Sequence, residues 1–97
     1  MLTAEINLQP GTAGQELDTA LRGVALYTMI QMQTPREQRH YLRLQVDYLG
    51  VWILADDCVP EVIQDRVDAF NEGVRAEGLA ICVHLRIYED NTKDQLG

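Results

Sequence analysis

Residues Asp57 to Gly78 put two lines of side chains on opposite sides of what reads as one helix. Val59, Ile63, Val67, Phe70 and Val74 recur at i, i+4, i+8, i+11 and i+15, an apolar stripe that another layer has to cover. Glu61, Asp65, Asp68 and Glu72 recur at i, i+4, i+7 and i+11 and, at roughly 100° per residue, face the other way. Pro60 suits the first turn, where a missing N–H is no loss, and Gly78 suits the position just past the end. Asp56 and Asp57 are expected to cap the start. The rest of the chain must supply a hydrophobic surface for this helix to lie on.

That surface reads as strands. Leu2, Ala4, Ile6 and Leu8 alternate with Thr3, Glu5, Asn7 and Gln9, and Pro10 with Gly11 ends the run. Residues 40 to 55 read as a hairpin: Leu42, Leu44, Val46 and Tyr48 face one way, Tyr41, Arg43, Gln45 and Asp47 the other, with Gly50 as the turn and Val51 to Ala55 as the return. Leu79, Ile81, Val83, Leu85 and Ile87 give the clearest alternation in the chain.

A first helix is predicted from the capping-box spacing of Thr12 and Gln15 to about Gln33, buried on Leu17, Leu21, Val24, Thr28 and Met32. Leu26, Tyr27, Met29 and Ile30 make its second half apolar nearly all round. Either Gly23 marks close packing, or these four residues form a homodimer contact. Thr34 to Arg39 reads as a polar loop, since Pro35 forbids further helix.

The order strand, helix, strand, strand, helix, strand predicts an α+β domain: a ferredoxin-like split βαβ plait (βαββαβ) with two helices on one face of a four-stranded antiparallel sheet. Residues 1–88 form this one domain, and 89–97 read as a polar, flexible tail. Ninety-seven residues suffice for one core without a metal or a disulfide framework.

Charge narrows the function. Eight Lys and Arg against fifteen Asp and Glu give −7, which disfavours direct binding to nucleic acid or an anionic membrane and favours a basic partner. Two cysteines and the lack of a signal-like start predict a reduced, cytoplasmic protein. Between Asp56 and Glu77, seven acids stand against Arg66 and Arg75, so this segment alone carries −5. Glu61 with Asp65, and Asp68 with Glu72, are like charges at i, i+4 that cost a helix about 0.2–0.5 kcal/mol per pair. Such a cost without visible compensation points to use.

The leading expectation is therefore a small acidic, non-enzymatic inhibitor that blocks a basic, nucleic-acid-binding surface of another protein, as a toxin immunity protein or a phage-type anti-defence (anti-CRISPR-like) inhibitor does. Asp56, Asp57, Glu61, Asp65, Asp68 and Glu72 would make the contact. The alternative is a dimeric ferredoxin-like enzyme or ligand-sensing domain using the open sheet face, with Tyr41 and His84 as acid and base and Arg43 or Arg86 holding an anion. No cofactor is expected, and no metal: Cys58, Cys82 and His84 match no zinc spacing, and no phosphate-binding or hydrolase motif occurs.

Overall fold

Alternation in the sequence becomes a four-stranded antiparallel sheet in the computed structural model, which describes residues 1–89. The strands are β1 (Leu2–Pro10), β2 (Leu42–Asp47), β3 (Gly50–Asp56) and β4 (Ile81–Glu89), and their order in the sheet is β2-β3-β1-β4. Two helices complete an α+β architecture: α1 (Glu16–Gln33) and α2 (Pro60–Ala76). Neither is long and apolar enough to cross a membrane. The predicted tail at 90–97 lies outside the described residues; Glu89 itself closes β4.

The core follows the period-two pattern of the central strands. Ala4, Ile6 and Leu8 of β1 stand opposite Ala55, Ile53 and Val51 of β3, and all six are buried. Leu26 and Ile30 from α1 and Ile63 and Val67 from α2 join them in one cluster. Burying a side chain of this size contributes about 1.5–3 kcal/mol, so this cluster dominates the folding energy.

Helix α2 ends as its sequence predicts. Gly78 takes a left-handed φ of 69°, its N–H donates to the Arg75 carbonyl at 3.0 Å and the Leu79 N–H donates to the Val74 carbonyl at 3.0 Å. Its start differs from expectation. Val59 is the N-cap and makes no side-chain cap hydrogen bond, so neither Asp56 nor Asp57 caps the helix. Val59 is also 57% exposed rather than part of the buried stripe.

Helix α1 departs further. Its buried residues are Thr19, Gly23, Leu26 and Ile30. The predicted stripe points outward, with Leu17 70%, Leu21 60% and Met32 74% exposed. Gly23 explains the choice. A Cβ there would lie 2.6 Å from Val51 Cγ2, so only glycine lets the helix backbone come this close to β3. The capping box does not form: Gln15 is the N-cap without a side-chain cap bond, and its Oε1 accepts from the Ala80 N–H at 3.0 Å.

Smaller corrections concern the connections. Arg36–Tyr41 form a 3-10 turn instead of a loop, so Tyr41 precedes β2 and does not belong to it. The hairpin turns at Tyr48 and Leu49, where Asp47 Oδ1 accepts the N–H of Leu49 at 2.7 Å and of Gly50 at 3.2 Å, and Gly50 opens β3. Strand β2 is an edge strand whose residues after Leu42 are exposed. Leu79 lies before β4.

Candidate partner-binding surface

Since Ile63, Val67 and Val74 bind α2 to the core, the residues about half a turn away must face solvent, and Glu61, Asp65, Asp68 and Glu72 are all exposed. At about 1.5 Å per residue the line runs for about 16 Å along a rigid helix. Glu61, in the first turn, is favoured there by the helix dipole. The other three lack that support.

The cations among the described residues leave the line largely bare. Arg66 Nε donates to Gln33 Oε1 at 2.9 Å, which ties α2 to α1 and spends the guanidinium on a neutral group. Arg75 is exposed and makes no ion pair with Glu72 among the described residues. Asp68 Oδ1 accepts a hydrogen bond from Gln64 Nε2 at 2.9 Å, while Glu61, Asp65 and Glu72 have no ion pair or side-chain hydrogen bond among the described residues.

The two aspartates before the helix part company with that line. Asp56 ends β3, where Oδ1 accepts from Thr3 Oγ1 at 3.1 Å and Oδ2 from Arg43 Nη2 at 3.2 Å; its charge is already matched. Asp57 is exposed and left-handed, φ 54°, at the strand-to-helix corner. Glu77 pairs with Arg22 of α1. Of the seven acids in this segment, five make no ion pair among the described residues.

The alternative site does not assemble. Arg43 and Arg86 lie on β2 and β4, the two edges of the sheet, in the row Arg43, Leu54, Glu5, Arg86. At about 4.8 Å per strand they stand roughly 14 Å apart. Each is engaged: Arg43 with Asp56, and Arg86 Nη2 with Glu5 Oε2 at 2.8 Å while its Cζ lies 4.5 Å from the Tyr88 ring centre. His84 is exposed in the next row, beyond Asn7, and the Tyr41 ring meets His40, centroids 3.8 Å apart. No acid–base pair converges on an anion site among these residues. Cys58, whose N–H donates to the Leu2 carbonyl, and Cys82, opposite Gln9, lie at opposite ends of β1, so they share no metal site.

A pocket of about 100 Å³ beside Cys58, lined by Ile30, Leu42, Ala55, Val62 and Ile63, is well below the roughly 300–1,000 Å³ of ordinary ligand sites, whereas two hollows among the described residues fall within that range: about 400 Å³ on the open sheet face beside Arg43, Gln45 and Trp52, without His84 or Tyr41 in its lining, and about 340 Å³ between α1 and α2 beside Met29 and Phe70. Of the predicted dimer contact, Leu26 and Ile30 lie in the core, Tyr27 is half-buried against it, and only Met29 is exposed. The apolar surface that sequence reasoning missed is the outward face of α1. One signal for it was present: Thr19, Gly23, Leu26 and Ile30 also recur at helical spacing, and the glycine among them marks the side that comes closest to the sheet.

No protein-family model matches the chain, and no curated protein matches it. The site therefore stands on its own geometry.

Proposed function

We propose that this protein is a non-enzymatic inhibitor that docks the acidic face of α2 on a basic, nucleic-acid-binding surface of another protein. The observation that carries the reading is the set of exposed carboxylates at Glu61, Asp65 and Glu72 that no arginine of the chain neutralises. Adjacent acids on a helix repel, and their attraction to a cationic groove both speeds encounter and offsets that repulsion. Carboxylates about 6 Å apart are of the same order as the spacing of phosphates along a nucleic-acid strand, so a groove lined for phosphate suits them. Asp68 and Asp57 extend the contact. Asp56, held by Arg43 and Thr3, positions the strand end instead of meeting the partner.

Toxin immunity proteins and phage-borne inhibitors of defence complexes work by this physics, and this protein is assigned to that class of activity. The sheet order β2-β3-β1-β4 and the core shared by both helices support a ferredoxin-like plait with the helices on one face. Two free cysteines, one exposed, fit a reducing cytoplasm.

The test is charge reversal with the partner recovered by affinity purification from the native host. Asp65→Lys with Asp68→Lys is expected to slow association about tenfold or more at low salt and to flatten its salt dependence, with the circular dichroism unchanged. Association that keeps its rate and its salt slope removes the reading.

A further inference from the structure

We propose that the outward face of α1 pairs with the same face of a second copy of this chain, the two helices running antiparallel about a two-fold axis. Leu17, Leu21, Val24, Thr28 and Met32 share this face, and their spacing of four, three, four and four residues is that of a helix–helix seam. Nothing among the described residues covers it: Leu17, Leu21 and Met32 are each more exposed than buried.

Two molecules at −7 repel overall, but the charge pattern along α1 fits a second copy as the occupant. Each copy carries −7, and two such molecules approach at least cost where the surface is neutral. No charged residue lies between Arg22 and Arg36, the longest uncharged stretch of the sequence. The ends of the helix carry opposite signs. Glu16 and Asp18 stand in its first turn, and Arg36 and Arg39 follow its last. Glu16, Asp18 and Arg36 make no ion pair among the described residues.

A two-fold axis passing between Val24 and Ala25 sets Leu17 opposite Met32 of the second copy and Leu21 opposite its Thr28. Each acidic start then comes within about a turn of the other copy's basic end, and the helix dipoles oppose. Parallel pairing stacks acid on acid. The seam is about 23 Å long on a helix about 10 Å across, which falls short of the ~800 Å² per partner of a standard interface. The dimer is therefore expected at about 10–100 µM.

The acidic line lies on α2, so the two readings fail separately: a strictly monomeric protein still offers its carboxylates to a basic groove.

Sedimentation velocity of the full chain from about 5 to 500 µM is expected to show a monomer–dimer equilibrium in that range. Leu21→Asp, and separately Val24→Asp, sit at exposed positions and are expected to weaken it at least tenfold with unchanged circular dichroism. Oxidative cross-linking reads the register in a Cys82→Ser background. Val24→Cys is expected to link to itself. Leu17→Cys links to Met32→Cys but not to itself, because its two copies lie about 23 Å apart. A monomer at 500 µM, a dimer that Leu21→Asp leaves intact, or self-linking by Leu17→Cys as ready as by Val24→Cys overturns the proposal.

Discussion

Gly23 sets how closely α1 lies on the sheet, because a methyl group there meets the Val51 side chain at 2.6–2.8 Å. Gly23→Ala raises helix propensity yet forces overpacking, and the second effect wins: a net loss of about 1–3 kcal/mol is expected in urea unfolding. Gly23→Ala combined with Val51→Ala makes room for the methyl and is expected to recover part of that loss relative to the sum of the two single changes. Cys58 shows the other residue-scale constraint. Burial pushes its thiol above the ordinary value of 9.0, with the nearby Asp57 and Asp56 carboxylates adding to the shift against two backbone hydrogen bonds that oppose it. A folded-state value above the unfolded one means that the protonated thiol's contribution is fully present below the ordinary range and is lost as pH rises through the folded value. Thermal melting is therefore expected to fall more steeply in the native protein than in Cys58→Ala as pH rises above the ordinary thiol range. Alkylation with iodoacetamide, followed by mass spectrometry, is expected to mark exposed Cys82 well before Cys58.

Each helix has one face spent on the core and one left over, and the leftover faces differ. On α2 the remainder is anionic, and its repulsion is a local cost to the helix. Asp65→Asn with Glu72→Gln removes both i, i+4 repulsions and is expected to raise stability by about 0.4–1 kcal/mol, read as a higher melting temperature, while reducing affinity for a basic partner. A drop in stability would mean these carboxylates have partners beyond the contacts described. The two helices also differ in how far they could be read beforehand. In α2, apolar and charged residues occupy opposite sides, so Ile63, Val67 and Val74 were legible as core and Glu61 to Glu72 as surface. In α1, two stripes compete, and the one richer in leucine and methionine is the one left outside. Hydrophobicity ranked them wrongly because proximity to Val51 demanded a residue with no side chain. The surroundings of Asp56 were hidden for a similar reason: in sequence it stands beside Asp57, but its neighbours in space are Arg43 and Thr3, brought there by strand pairing that spacing along the chain does not reveal.

At the scale of the whole molecule, the strands were legible because alternation is a strict signal, and strands β1, β3 and β4 appear within a residue or two of their predicted bounds. Edge strand β2 was harder: Leu44 and Val46 alternate like buried residues yet stay partly exposed at the edge of the sheet. The antiparallel pairing of β1 with β4 also brings Leu2 beside Glu89 at one end of the sheet. Tension applied between those two points loads the ladder from a single end, so its hydrogen bonds part in succession instead of sharing the force. The strand peeled away is β4, an edge strand bonded only to β1, and its removal uncovers the flank of the hydrophobic interior that Ile81, Val83, Leu85 and Ile87 pack against. A motor that threads polypeptides would meet little mechanical resistance here, whatever the thermodynamic stability of the resting protein.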